Sequence, residues 1–182
     1  MPALDGTLLS EDVAAFMQGR LDGFDPGLVE FLLTAAVDDA RRVCGWHVTP
    51  QQEDVVTLDG PGGALLVLPT LRLASVTEVV EDGVVLDLDN VALGHSRSGY
   101  PDGRLYKKDG TCWALGHGNI TVTYTHGYAD APGWWAAVLS AVNRTAKLSS
   151  DAPTAVGPFR WETDGTTLEQ SMLGLYRLER PA

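Results

Sequence analysis

A change of hydrophobic period at Gly45 constrains this chain more than any other feature of its sequence. In residues 26–44 the apolar side chains recur every three or four positions, which places them on one face of an α-helix. From about residue 48 to residue 125 they recur at every second position, as in strands with one covered face. Asp25-Pro26 supplies an N-cap and a first-turn proline, and Gly45 ends the helix. The sequence therefore predicts a helix that passes directly into a strand-rich segment.

The strand-rich segment contains one strong hairpin signal and one stretch predicted to be a loop. Asp82-Gly83 separates two apolar runs, and a tight hairpin turn needs residues that accept positive φ. Residues 93–118 are rich in glycine, serine and aspartate, with one brief strand expected near Leu105-Tyr106. We expect a long, mobile loop over most of that stretch.

Three further helices are predicted outside the strand-rich segment. A short one begins at Ser10, a long one begins at Pro132 and runs to about Leu148, and a last one begins with the capping-box pattern Thr166–Glu169. The long helix is apolar around more than half of its circumference, so we expect a neighbouring subunit to cover part of it. The candidate subunit-interface residues are Trp134, Trp135 and Leu139.

Charge and length exclude several classes of protein. The 182-residue chain carries a net charge of −11, and its first 60 residues hold 11 acidic against 3 basic side chains. A basic nucleic-acid footprint is therefore not expected. No apolar run is long enough for a membrane span and no signal-peptide pattern is present, so we expect a soluble protein made in the bacterial cytoplasm. Four acids surround the predicted hairpin tip and form either a solvated edge or a surface facing DNA or a partner: Glu81, Asp82, Asp87 and Asp89.

The residue types that carry catalysis do not form a specific motif. Cys112, His117 and His126 are compatible on paper with a small metal- or acid/base-dependent hydrolase, and this remains the alternative function. However, no CxxC or HExxH spacing supports it, and the glycine-rich Gly60–Gly63 turn lacks the lysine of a phosphate-binding loop. Cys44 and Cys112 are both expected to be reduced packing residues, and no cofactor or metal is predicted.

Four segments together carry a resemblance to a known family. Val43–Val48, Val56–Gly63, Leu68–Leu71 and Val122–Tyr128 are similar, in their order and spacing, to segments of head-to-tail adaptor (connector) proteins of long-tailed bacteriophages, especially those of actinobacteria. The change of period and the resemblance together predict an α+β fold, with a helical ring-forming core and a β-rich insertion of hairpins between the second and third helices. Some relatives are nearly all helical, so this insertion departs from them. The corresponding division is 1–50 for the N-terminal helical part, 51–126 for the insertion and 127–182 for the C-terminal helical part.

The resemblance also implies a function without chemistry of its own. Adaptors of this family form rings, commonly of twelve subunits, that connect the portal protein to a stopper or tail-terminator protein in the virion neck and let double-stranded DNA pass. In relatives a C-terminal extension grips the portal. The residues expected to do so here are Leu168, Met172, Leu175, Tyr176, Arg177, Leu178 and Arg180.

Overall fold

The computed structural model describes Val13, residues 25–151 and residues 172–178. The chain divides into two compact units. The helical unit comprises residues 1–48 and 130–182, and the β unit comprises residues 49–129. No helix in the described ranges is both long and apolar enough to cross a bilayer.

The first long helix, α1, spans Pro26–Cys44 and has the ends that its sequence predicts. The Asp25 carboxylate accepts hydrogen bonds from the backbone N–H groups of Gly27 and Leu28, at 2.8 and 3.3 Å. These two groups have no partner inside the helix, so the cap stabilises its first turn. Gly45 closes the helix in the left-handed region at φ 80°, and its N–H donates to the Arg41 carbonyl at 2.8 Å.

Helix α1 packs against the second long helix, α2, which spans Pro132–Asp151. The buried apolar stripe of α1 follows the predicted helical period and consists of Val29, Leu32, Leu33, Ala36, Ala40 and Cys44. Five buried side chains of α2 follow the same helical period: Trp134, Ala137, Val138, Ala141 and Val142. Removal of these stripes from water is the main source of stability for the pair.

The β unit consists of two antiparallel sheets. Its strands are β1 (Gln52–Pro61), β2 (Leu65–Val67), β3 (Leu73–Glu81), β4 (Val84–Val85), β5 (Val91–His95), β6 (Pro101–Lys107) and β7 (Leu115–His126). A four-stranded sheet has the order β1-β7-β3-β4, and a three-stranded sheet has the order β2-β6-β5. A single 3-10 turn, Leu88–Asn90, connects β4 to β5.

The central strand β7 organises the larger sheet. It pairs with β1 from Gln52↔His126 to Pro61↔Leu115 and with β3 from Leu73↔His126 to Glu81↔Ile120. Alternate residues of β7 point into the core, as strand geometry requires. The buried core is contributed by both sheets: Leu66, Leu68, Leu73, Val79, Val91, Leu105, Trp113, Ile120, Val122 and Tyr124.

The expected helical ring core with a β-rich insertion is wrong as a description of this fold. Among the residues that the structure describes, strand is the most common secondary structure, at 37 % in two antiparallel sheets. The error is largest in residues 93–118, where the predicted loop contains part of β5, all of β6 and the start of β7. The helices predicted from Ser10 and from Thr166 fall outside the described residues except for Val13 and residues 172–178.

The loop prediction for residues 93–118 depended on their glycine content, but several of these glycines lie in strands. A Cβ at Gly103, within β6, would lie 2.6 Å from the carbonyl oxygens of Leu68 and Thr70. Only a residue without a side chain allows this close backbone approach, so a glycine that looks like a loop signal is required for strand packing.

Candidate functional site

The three residues of the hydrolase alternative do not come together. Cys112 is exposed before β7, and His117 projects into solvent with its Nδ1 3.3 Å from Asp59 Oδ2. His126 is buried at the other end of β7, and its Nε2 lies 2.8 Å from Asp54 Oδ2. Nine residues of extended strand separate the two histidines by about 30 Å. Among the residues that the structure describes, no group of three or more His, Cys, Asp or Glu is placed to hold a metal ion.

His126 has a structural environment at the end of the larger sheet. Its ring lies 4.8 Å from the ring of Tyr124, between centroids. Burial, and secondarily the negative charge of Asp54, raises the pKa of Tyr124 to about 12. The phenol therefore stays protonated at any physiological pH, and this cluster closes the end of the core.

Glu81, the first of the four hairpin acids, is paired inside the β unit. Its Oε2 lies 2.6 Å from Lys107 Nζ, and its Oε1 accepts the backbone N–H of Ala114 at 2.7 Å. The side chains of Glu81 and Lys107 are only 12 % and 11 % exposed. Lys107 also donates to the Cys112 carbonyl at 3.1 Å and lies 5.0 Å from the ring centroid of Trp113. Glu81 therefore joins the ends of β3 and β6, which belong to different sheets, and its charge is neutralised.

The other three hairpin acids are exposed. Asp82 occupies the predicted turn at φ 50° and accepts a hydrogen bond from Asn119 Nδ2 at 3.1 Å. Asp87 Oδ1 caps the 3-10 turn by accepting the N–H of Asp89 at 3.0 Å. These three carboxylates leave most of their oxygen atoms to solvent, and they give this end of the β unit a negative surface.

A small cavity of about 120 Å³ lies beside the 3-10 turn. Its lining includes Asp87, Asn90, Lys107, Asp109 and Thr111. Hydrogen bonds from the backbone and hydroxyl of Thr111, and from Asn90, lower the pKa of Asp109 to about 2. The volume is below that of ordinary organic-ligand sites, and the carboxylate is already satisfied by its own loop.

The candidate subunit-interface residues are buried inside the helical unit. Trp134 and Trp135 pack edge to face, with ring centroids 4.6 Å apart and an interplanar angle of 74°. Both indoles and Leu139 are buried, because α2 is covered around most of its circumference. Burial raises the pKa of the Cys44 thiol to about 11.

The described part of the C-terminal segment is attached to its own helical unit. Trp46 Nε1 donates to the Tyr176 carbonyl at 2.7 Å, and the Leu178 N–H donates to the Cys44 carbonyl at 2.8 Å. Leu173, which is not among the candidate portal residues, is the buried anchor of the described part of this segment.

The candidate portal residues are placed differently from one another. Leu175 is 79 % exposed and Arg177 is also exposed. Met172, Tyr176 and Leu178 are half-buried against the unit. Leu168 and Arg180 lie outside the described residues.

A cation–aromatic cluster was missed by the sequence analysis. The guanidinium carbon of Arg72 lies 3.6 Å from the ring centroid of Tyr100 and 5.6 Å from that of Tyr128. The three residues are far apart along the chain, so no local sequence pattern predicts their contact. Only the pairing of β3 with the end of β7 brings Arg72 to Tyr128.

Comparison with known proteins gives matches among solved structures only. No family model matches the chain, and no curated protein matches it. The neck of a native gene transfer agent (GTA) particle, computed with C12 symmetry, contains a chain that matches with a TM-score of 0.62 and 16 % identity. The match covers 100 % of this chain and 95 % of that one. The chain shares the fold of a phage-like neck component.

Two further structures agree with this result. The neck of the empty GTA particle, computed with C6 symmetry, matches with a TM-score of 0.63 and 17 % identity over 100 % of this chain and 95 % of that chain. The virion of the native particle matches with a TM-score of 0.58 and 17 % identity, over 100 % and 94 %. The resemblance to head-to-tail connector proteins is confirmed at the level of the fold.

Proposed function

We propose that this chain is a structural protein of a virion neck, and that its copies form a ring that joins the portal to a stopper or tail protein and lets DNA pass. The observation that supports this most is the fold match over the entire chain to components of neck assemblies with C12 and C6 symmetry. The match covers the helical unit and the β unit, so it does not depend on a single widespread motif. The expected stoichiometry of twelve subunits is part of the proposal.

The described surface fits a structural role better than an enzymatic one. The catalytic candidates lie at separate positions, and the cavity beside the 3-10 turn is small. The net charge of −11 disfavours retention of a phosphate backbone. For a DNA-facing wall we therefore propose the exposed acids Asp82, Asp87 and Asp89, without Glu81, whose charge Lys107 neutralises.

The outward residues of the C-terminal segment are the proposed portal-binding surface. Leu175 offers an exposed apolar anchor and Arg177 offers a guanidinium for charge-assisted hydrogen bonds to an acidic partner. Leu168 and Arg180 remain in the proposal. The half-buried Met172, Tyr176 and Leu178, and the buried Trp134, Trp135 and Leu139, would support the docking and ring-forming surfaces from beneath.

Co-expression with the portal protein of the same genome tests the proposed function. Native mass spectrometry of the purified complex should show a ring of this chain on the portal, and cryo-electron microscopy of the virion should place its fold between the head and the tail. A chain that stays monomeric in the presence of the portal, together with virion necks that lack its density, would refute the proposal.

The variant Leu175→Asp/Arg177→Glu tests the docking surface. Capture by the portal should fall at least about tenfold, because both anchors are removed, while the melting temperature stays unchanged because both side chains are exposed. Arg97→Glu is the matched control, since it changes the same charge on an exposed turn of the β unit. Equal capture of the two variants would move the docking site elsewhere.

A further inference from the structure

The β unit carries a half-buried cation that no anion faces within the described residues. The guanidinium of Arg72 stacks on Tyr100, which is 54 % exposed, and lies near the ring of Tyr128. The backbone of Arg72 is fixed, because its N–H donates to Thr70 Oγ1 at 3.1 Å and its carbonyl accepts the Gly127 N–H at 2.9 Å. The fixed backbone and the contact with the Tyr100 ring together position the side chain, and it has no ionic partner in the described ranges.

Two other cations of the same unit are paired with acids. Arg104 binds Asp102 at 2.8 Å, and Lys107 binds Glu81 at 2.6 Å. Unlike Arg104 and Lys107, Arg72 has guanidinium N–H groups with no acceptor among the described residues. Stacking on an aromatic face leaves the edge of the guanidinium available for two parallel hydrogen bonds to a carboxylate or phosphate. Arginine and tyrosine side chains are also enriched among the residues that dominate binding energy at interfaces.

A complementary surface exists on the outer face of the four-stranded sheet. Glu53, Val55 and Glu78 all point outward there, because Val55 and Glu78 pair with Thr123 from opposite sides and Glu53 lies two residues before Val55. Val55 is 66 % exposed. The two glutamates are exposed and have no hydrogen-bond or ion-pair partner within the described ranges. This acceptor patch thus offers free carboxylates beside an apolar side chain.

We propose that Arg72 and Tyr100 of one copy dock on the Glu53, Val55 and Glu78 patch of the next copy. This inference rests on the proposed function, and it names the contact that repeats around the ring. Contacts between two different surfaces of the same chain are the type that closes into rings. The two surfaces carry opposite local charge, a guanidinium on one side and two carboxylates on the other, so their contact is attractive although each copy carries a net charge of −11.

Charge exchange between the two surfaces tests the contact. The variants are Arg72→Glu, Glu78→Arg, their combination, and Tyr100→Ala, with Arg97→Glu as an exposed control. Ring yield on the portal is measured by native mass spectrometry, and self-association of the free chain by sedimentation equilibrium. Far-ultraviolet circular dichroism and melting temperature identify any variant that does not fold, and Tyr100→Ala tests the same contact without a charge change.

Each single variant on the two patches should lower ring yield or self-association at least about tenfold. The combined Arg72→Glu/Glu78→Arg chain should recover to within about threefold of the unchanged chain, because the ion pair is restored with reversed sign. Arg97→Glu should assemble normally.

Three results would overturn the inference. A folded Arg72→Glu variant that assembles normally removes Arg72 from the contact. A folded double variant without recovery shows that the two patches do not meet, as expected if Arg72 binds the portal instead. Normal rings with weaker retention of duplex DNA in a filter-binding assay assign Arg72 to phosphate. If the unchanged chain forms no ring on the portal, the proposed function fails separately, and sedimentation of the free chain still compares the variants.

Discussion

Replacement of Lys107 by methionine should destabilise the β unit strongly, although the residue lies at the end of a strand. The Lys107–Glu81 pair is nearly nine-tenths buried, at 11 % and 12 % exposure, with an N–O distance of 2.6 Å. The change would remove the cation and leave the Glu81 carboxylate buried with one backbone donor, the N–H of Ala114. An uncompensated charge at such a site typically costs about 3–5 kcal/mol, and we expect about 3 kcal/mol because some solvent reaches the pair.

A double-mutant cycle measures the same interaction without assuming its size. Glu81→Gln with Lys107→Met removes both charges, so most of the loss should return and the coupling energy should exceed about 2 kcal/mol. Lys108→Met is the matched control, because the one acceptor of Lys108 Nζ in the described part of the chain is the carbonyl of the exposed Asp89, at 2.8 Å. It should cost less than about 0.5 kcal/mol.

Native-state hydrogen exchange at the buried Val122 amide reports the stability of the β unit apart from that of the helical unit. Urea unfolding gives the corresponding midpoints. Equal stabilities of the Lys107→Met and Lys108→Met proteins would refute the reasoning, because they would show that the Glu81 carboxylate is well solvated without its partner. Full additivity in the cycle would lead to the same conclusion.

Three further predictions concern packing and reactivity. Ala40→Asp places a charge in the buried stripe of α1 and should lower the free energy of unfolding by about 3 kcal/mol or more. Urea denaturation measures this change, and an unchanged midpoint would contradict the packing of α1 against α2. Gly60→Ala puts a Cβ 1.8 Å from a backbone carbonyl oxygen and should lower the free energy of unfolding by more than about 2 kcal/mol. In Gly63→Ala the new Cβ meets nothing within 4 Å, so the free energy of unfolding should change by less than about 0.5 kcal/mol in the same assay. In a thiol-labelling time course near pH 8, the exposed Cys112 should react promptly. Cys44 is buried and its pKa is raised to about 11, so it should react only when the protein unfolds. Rapid labelling of both thiols would show that the helical core is open.

Local signals predicted the parts of the fold that depend on neighbouring residues. The Asp25 cap, the Gly45 stop and the Asp82-Gly83 turn are all found, with φ values of 80°, 50° and 79° at Gly45, Asp82 and Gly83. Each of these is decided by the conformational preference of one or two residues, so sequence alone contains the information.

Features that depend on distant partners were not predicted. Strand β6 carries glycine because carbonyls of the β2–β3 connection approach it, and composition cannot distinguish this cause from a loop. Glu81 was assigned to a DNA- or partner-facing surface because its partner Lys107 lies 26 positions away and in the other sheet. The Arg72–Tyr100 contact was missed for the same reason. The candidate site was therefore the least predictable part of the molecule.

The central position of β7 also determines when the β unit can fold on the ribosome. Its two neighbours, β1 and β3, are both synthesised earlier, and neither pairs with the other. Bacterial translation proceeds at about 5–20 residues per second, so several seconds pass between completion of β3 and emergence of β7. During that interval two strand edges and their apolar faces have no partner, which is the condition under which chains aggregate or recruit chaperones. Soluble yield should therefore depend on the translation rate between residues 82 and 126, and faster synthesis of that stretch should increase it.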